Sequence, residues 1–143
     1  VEINKNSIQK DFILKNQVLN MPKVLTKFQE IMKEQYVKKD RDFIERHGRL
    51  IFMAFLKPIL NGSGFAFKEP QISEERQIDI IVTFFQHQYV VELKVWRGEK
   101  KHQQGLTQLA DYLEKQNLST GYLVIFDHRL KKSFSRVHSF TIF

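Results

Sequence analysis

Two neighbouring segments, residues 76–82 and 89–95, most strongly constrain the fold of this chain. Both are rich in β-branched and apolar residues, and the polar residues 86–88 between them predict a turn, so the pattern indicates two adjacent strands. Charged side chains interrupt the apolar runs at Asp79, Glu92 and Lys94. Because residues two apart in a strand point to the same side, Glu92 and Lys94 are expected to share one face of the sheet. Asp79 can lie beside them if the strands pair as a hairpin.

Two carboxylates and one ammonium on a sheet are costly to desolvate unless they pair or bind an ion. Converging carboxylates suit a hard divalent cation such as Mg²⁺. Such a cation can activate water and stabilise the charge that develops during phosphodiester hydrolysis, while a nearby lysine can orient the water. The alternative is a structural ion pair between Lys94 and a carboxylate, and the spacing alone leaves both interpretations open.

A helical stretch from about residue 102 to residue 117 follows the second strand. Its apolar stripe has the spacing of a buried helix face and consists of Leu106, Leu109, Ala110 and Leu113. Gln108 and Tyr112 are four residues apart, so they are predicted to share a face next to that stripe. An amide and a phenol can both hydrogen-bond to phosphate, but the same pair also fits the ordinary rim of a packed helix.

The order of these elements resembles the PD-(D/E)XK phosphodiesterase superfamily. Asp79 precedes Glu92-Leu93-Lys94, and Gln108-x-x-x-Tyr112 is similar to the extra motif of the exonuclease and RecB-like branch. The stretch from about residue 41 to residue 127 also resembles the nuclease-like domain at the C-terminal end of larger bacterial proteins that carry an AAA-type ATPase region. One departure is Ile78, which stands where the family name has proline.

The resemblance implies a catalytic role for each matched residue. Asp79 and Glu92 would be metal ligands, with Mg²⁺ or Mn²⁺ as the cofactor. Glu45, in the helix before the first strand, would be an additional metal ligand, and its alternative is an exposed helix carboxylate. Lys94 would position or activate the attacking water.

The resemblance also implies partners. Gln108 and Tyr112 would support the site or contact nucleic acid, with DNA as the expected substrate. An upstream ATPase domain of the same polypeptide is a further expected partner. The chain begins with valine rather than methionine, which favours a piece of a longer polypeptide.

Charge and composition narrow the function classes. Twenty-three basic residues against sixteen acidic ones give a net charge of +7, which favours a polyanionic partner. A basic loop follows the second strand, and we expect it to contact phosphates and bases through Trp96, Arg97, Lys100 and Lys101, although a solvated loop is the alternative. The absence of cysteine excludes disulfides and thiolate zinc sites and is compatible with a reducing cytoplasm. No run of about 18 apolar residues exists, which argues against a membrane span.

The whole pattern predicts an α/β fold with the element order α-β-β-β-α-β. The resemblance implies the same order, as a restriction-endonuclease-like core with a mixed sheet flanked by helices. We expect residues 39–143 to form this domain, and residues 1–38 to be a helical extension or linker, a helix pair that covers the core, or a dimer arm. A long helix over about residues 42–60 should bury one broad face, formed by Phe43, His47, Leu50, Ile51, Ala54, Phe55 and Leu56.

Two alternatives to a metal-dependent nuclease stay open at the level of sequence. The first is a catalytically inactive nuclease-like domain that binds nucleic acid or docks a protein partner. The second is a homodimer built through the N-terminal helices. The set of Asp79, Glu92 and Lys94 favours the active enzyme over the first alternative.

Overall fold

The computed structural model describes residues 7–35, 41–68, 80–126 and 136–141. Within these residues the chain forms helices and strands in the order α1 (Ser7–Phe12), α2 (Met21–Gln35), α3 (Arg41–Leu60), β1 (Gly64–Lys68), β2 (Ile80–Phe84), β3 (His87–Val95), α4 (Glu99–Lys115), β4 (Thr120–Phe126) and β5 (Arg136–Thr141). From α3 to β4 this is the predicted α-β-β-β-α-β order, which is therefore confirmed. None of the helices that the structure describes has the length and apolar character needed to cross a bilayer.

The strands form one mixed sheet in the spatial order β1-β2-β3-β4-β5. Neighbouring strands are antiparallel except β3 and β4, which are parallel and are connected through α4. The continuously apolar β4 is buried from Gly121 to Phe126, as expected of a strand covered on both faces. The strand β5, which starts at Arg136, pairs with β4 at the edge of the sheet.

Helices α1, α2 and α3 cover one face of the sheet. Their buried residues join those of the sheet in a single apolar cluster. The helical contribution to this cluster consists of Phe12, Met21, Val24, Leu25, Phe28, Met32, Phe52, Leu56, Ile59 and Leu60. The N-terminal helices therefore share the core of the sheet, and the ring of Phe28 packs edge-on against that of Phe52 at 4.9 Å.

Helix α4 covers the opposite face of the sheet. Leu109 and Leu113 are fully buried in a second apolar cluster. The sheet contributes four residues to this cluster, Ile81, Val90, Leu123 and Ile125. Gly121 permits this close approach, because a Cβ atom there would lie 2.8 Å from Leu113 Cδ1.

Buried polar contacts fasten the N-terminal segment to the sheet and to α3. The Gln9 side chain is buried, and its Nε2 donates to the carbonyl oxygens of Ile59 and Leu60 at the end of α3. The backbone N–H of Leu19 donates to the Tyr89 hydroxyl oxygen at 2.8 Å. Burial raises the pKa of the Tyr89 phenol above its ordinary value of 10.0, and the Leu19 hydrogen bond opposes this shift.

The buried face of α3 differs from the predicted one. Phe52, Leu56, Ile59 and Leu60 are buried, whereas Leu50 is 64 % exposed and Ala54 is also exposed. Residues 50–56 are all apolar, so periodicity does not select one face, and packing against the sheet decides it.

The hairpin turn between β2 and β3 is tighter than predicted. Phe84 pairs with His87, which leaves Phe85 and Gln86 as the turn and places His87 in the strand. Phe85 adopts a positive φ of 52°, an unusual conformation for a bulky residue. Two-residue turns of this hand match the twist of paired strands, so the hairpin geometry overrides the local preference.

Candidate functional site

Strand β3 directs its side chains to the two faces of the sheet in strict alternation. Val91, Leu93 and Val95 pack with the cluster under α1, α2 and α3. Glu92 and Lys94 point to the face that α4 covers, and they contact each other there. The predicted shared face of this acid and this lysine is therefore present in the structure.

Glu92 and Lys94 form an ion pair whose two members differ in exposure. Lys94 Nζ lies 3.1 Å from Glu92 Oε1. The Glu92 side chain is completely buried, while the Lys94 side chain is 39 % exposed. A fully buried carboxylate is rare and costly unless its charge is compensated. The lysine thus connects a buried acid to a solvent-accessible surface.

Helix α4 leaves room for the lysine. Gly105 is buried in α4, and a Cβ atom there would lie 4.0 Å from Lys94 Cε. The helix therefore presents its least bulky residue to the lysine side chain. Gly98 precedes α4 with a φ of 102°, a conformation that favours glycine and turns the chain from β3 into the helix.

A pocket of about 440 Å³ opens beside Lys94. Its lining comes from α3, the end of β3, the loop after β3, α4 and β4, and consists of Gly48, Arg49, Leu93, Lys94, Val95, Trp96, Arg97, Lys101, His102, Gln104, Gly105, Gln108, Leu123, Ile125 and Phe126. This described lining includes the basic side chains of Arg49, Lys94, Arg97 and Lys101 and no aspartate or glutamate. We call it the cationic pocket, and its charge favours an anionic ligand.

Two aromatic rings stand together in the lining of the cationic pocket. The centroids of the Trp96 and His102 rings lie 5.2 Å apart, and the ring planes are tilted by 38°. The Trp96 backbone N–H donates to the Phe126 carbonyl oxygen at 3.0 Å, which fastens the end of β3 to β4. Trp96 is therefore held at the pocket by both its main chain and its ring.

The structure brings several of the predicted site residues together. Lys94, Trp96, Arg97, Lys101 and Gln108 all line the cationic pocket. Glu92 lies beneath them and contacts Lys94.

Other predicted residues lie elsewhere. Tyr112 is not among the residues that line the pocket and packs against the apolar cluster under α4. Lys100 and Lys101 belong to α4, which begins at Glu99, and not to the predicted basic loop. Lys100 is exposed and is likewise not part of the lining. Asp79 lies outside the described residues, and Glu45 belongs to a part of α3 whose side chains are not described. Among the described residues there is no group of three or more side chains that could hold a metal ion.

The structure also adds pocket residues that the sequence did not single out as site residues. Arg49 reaches the pocket from α3, while His102, Gln104 and Gly105 reach it from α4. The available signal for Arg49 was its place one helical turn after Glu45, since residues three and four apart in a helix are neighbours. The signal for the three residues of α4 was weaker. They lie between Lys101 and Gln108 in the sequence, on the same helix.

The part of the chain that contains most of the sheet and the Glu92–Lys94 pair matches a known protein family. A sequence model of the PD-(D/E)XK nuclease superfamily matches residues 64–137, just over half of the chain. The chain belongs to the PD-(D/E)XK nuclease superfamily. The matched region contains β1 to β4 and α4, and therefore includes the Glu92–Lys94 pair.

Comparison with solved structures gives only distant likenesses. Hjc, a Holliday junction resolvase from Archaeoglobus fulgidus, matches with a TM-score of 0.35 and 12 % identity, over 62 % of this chain and 73 % of its own. A protein designated SSO0001 matches with a TM-score of 0.38 and 14 % identity, over 88 % of this chain and 79 % of its own. No curated protein matches the chain significantly.

Proposed function

We propose that this PD-(D/E)XK protein is a metal-dependent nuclease that hydrolyses DNA phosphodiesters at the Glu92–Lys94 pair. The observation that carries the proposal is the placement of a completely buried carboxylate 3.1 Å from a lysine that lines the cationic pocket. A buried carboxylate with a specific charge partner beside a cleft is a candidate for a functional site. A pair that served only stability would gain little from the partial exposure of its lysine.

The donor chemistry of the site fits a hard divalent cation, Mg²⁺ or Mn²⁺. Glu92 would supply one carboxylate from β3. Asp79 would supply a second, since it directly precedes Ile80, the partner of Val91 in the β2–β3 ladder. Glu45 would add a third, because it lies in α3 three residues before the pocket residue Gly48. When bound, the cation polarises the phosphoryl oxygen and stabilises the negative charge that builds up during displacement.

The residues of the chain would do the rest of the chemistry. Lys94, with three rotatable donors, would hold the attacking water in line with the scissile phosphate. Gln108 lines the same pocket, and its amide would hydrogen-bond to a phosphate oxygen. Tyr112 would support α4 from the apolar cluster beneath it. The neighbouring Arg97 and Lys101 would attract the polyanionic strand, in keeping with the net charge of +7.

Three wider proposals accompany this function. The nuclease domain acts as the C-terminal module of a larger bacterial protein that contains an AAA-type ATPase region. A homodimer built through the N-terminal helices is a second proposal, and residues 1–38 as a helical extension of the nuclease domain are a third. Each is supported by the family resemblance or by patterning, and the homodimer is tested by measuring the mass of the protein in solution.

Cleavage assays test the proposed function directly. Supercoiled plasmid and labelled single-stranded DNA are incubated with Mg²⁺, Mn²⁺ or EDTA, and wild type is compared with Lys94→Met. We expect metal-dependent cleavage that falls by about 100-fold or more in Lys94→Met, because the lysine acts on the reacting groups. Lys115→Met is the matched control, since Lys115 is an exposed lysine in the last turn of α4 and should leave cleavage unchanged. Cleavage that survives in a clean Lys94→Met preparation would contradict the proposal.

A further inference from the structure

We propose that the cationic pocket binds one unstacked nucleotide of a DNA strand, which makes single-stranded or frayed DNA the substrate class. The inference rests on the proposed nuclease function and deepens it. Both the phosphate and the base of that nucleotide would lie in the cationic pocket beside Lys94.

The phosphate is recognised by cations that reach the pocket from different elements. Arg49 comes from α3, Arg97 from the loop after β3, and Lys101 from the first turns of α4. Because three separate elements deliver a positive charge to one concave surface, the site holds an anion more firmly than scattered surface lysines would. Within the described residues, the basic side chains of the lining give the pocket a positive charge that favours a phosphate.

The base is recognised by the aromatic and amide side chains of the same pocket. Trp96 lies against His102, and both residues line the pocket. Indole and imidazole rings stack on bases of any sequence, whereas the amides of Gln104 and Gln108 can donate to and accept from a base edge. A pocket lined only by basic residues would serve a phosphate alone, so the aromatic pair indicates a whole nucleotide.

The pocket geometry selects an unpaired base. Its volume of about 440 Å³ lies in the range of roughly 300–1,000 Å³ that is typical of sites for small ligands. Inside a duplex both faces of every base are covered by its neighbours, so contact with Trp96 requires a base that has left the stack. Single strands, flaps and frayed ends provide such a base without the cost of opening a duplex.

The single tryptophan of the chain makes the pocket directly observable. Because Trp96 is the only tryptophan, fluorescence excited selectively in tryptophan rather than in the four tyrosines reports on this site alone. Titrations in EDTA compare a short oligothymidylate, a strand of equal length with abasic sites, and a blunt duplex. We expect the oligothymidylate to quench the fluorescence and to bind at least about 5-fold more tightly than the abasic strand, the effect of losing one stacked base. Equal quenching by the abasic strand or by the duplex would overturn the proposal.

Charge substitutions test the phosphate half of the pocket. Lys101→Ala should weaken binding of the oligothymidylate. It should also lower the slope of log affinity against log salt concentration by the equivalent of about one phosphate contact. Lys115→Ala, an exposed lysine of the same helix outside the pocket, should change neither quantity. Equal effects of the two substitutions would mean that the strand follows a diffuse positive surface, and the pocket assignment would fall.

A second measurement removes the dependence on fluorescence. Trp96→Leu keeps an apolar side chain but removes the stacking ring, and anisotropy of a labelled oligothymidylate should show binding weakened by about 5-fold or more. Unchanged affinity would overturn the base-stacking half of the inference. Cleavage assays with metal separate the two levels: cleavage without base-dependent quenching refutes only the pocket assignment, whereas base-dependent quenching without cleavage in any metal refutes only the nuclease.

Discussion

Replacing the two members of the Glu92–Lys94 pair one at a time should have unequal effects on the free energy of unfolding. Glu92→Gln removes the charge of a completely buried side chain and leaves a lysine that already has access to water. Lys94→Met does the reverse, since it removes the ammonium 3.1 Å from a carboxylate that stays buried. The asymmetry of burial therefore predicts that the lysine substitution is the more damaging one.

The distance and the exposures set the magnitude. Two unit charges 3.1 Å apart attract each other by about 5 kcal/mol at an effective dielectric constant of about 20. Solvent screens this attraction because Lys94 is 39 % exposed. Loss of one partner from a fully buried pair costs about 3–5 kcal/mol, so we expect Lys94→Met to destabilise the protein by about 2 kcal/mol. Glu92→Gln should leave the free energy of unfolding unchanged or raise it by up to about 1 kcal/mol, because it removes a buried charge.

Urea unfolding followed by circular dichroism, in EDTA at about pH 8 where ordinary carboxyl groups are ionised, measures these effects. The double substitution should be as stable as Glu92→Gln within about 0.5 kcal/mol, because the buried charge that needs the lysine is gone. A larger loss of stability in Glu92→Gln than in Lys94→Met would contradict this expectation. It would identify a structural ion pair, the alternative that the sequence left open.

Three further predictions concern the frame around the site. Gly121→Ala should destabilise the protein by about 1–3 kcal/mol in urea unfolding, because its Cβ would lie 2.8 Å from Leu113 Cδ1 and 3.0 Å from Leu109 Cδ1; no loss of stability would contradict the tight packing of α4. Burial raises the pKa of the Tyr122 phenol above its ordinary value of 10.0. The folded state therefore binds the phenolic proton more tightly than the unfolded state does, and stability should fall as the pH rises above 10.0. Tyr122→Phe should show a smaller alkaline loss in unfolding at increasing pH, and an unchanged loss would assign it to other groups. Gln9→Leu should destabilise by about 1–3 kcal/mol, since it removes the hydrogen bonds to the end of α3, and thermal unfolding that matches wild type would contradict this.

The sequence predicted those parts of the fold and site that follow from short periodic patterns. The alternation in β3 placed Glu92 and Lys94 on one face, because a strand repeats every two residues. The stripe that contains Leu109 and Leu113 predicted the buried side of α4. In each case a single local pattern fixed the orientation of the side chains.

Features that depend on tertiary packing were not predictable in this way. Residues 50–56 of α3 are apolar on every side, so only docking on the sheet decides that Phe52 is buried and Leu50 exposed. The turn at Phe85 carries no glycine or asparagine to indicate its positive φ. Arg49 enters the cationic pocket from a helix distant in sequence from β3, and no spacing rule connects the two.

Single-turnover cleavage of labelled single-stranded DNA by wild type and Glu92→Gln, in Mn²⁺ and in EDTA, tests whether the buried carboxylate takes part in catalysis. Both proteins are first compared by urea unfolding in EDTA, so that a folded variant is assured. We expect cleavage by wild type only with Mn²⁺, and a loss of about 100-fold or more in Glu92→Gln although the variant is at least as stable as wild type. Metal-dependent cleavage by Glu92→Gln at the wild-type rate would contradict this expectation, because the buried carboxylate would then have no part in the reaction.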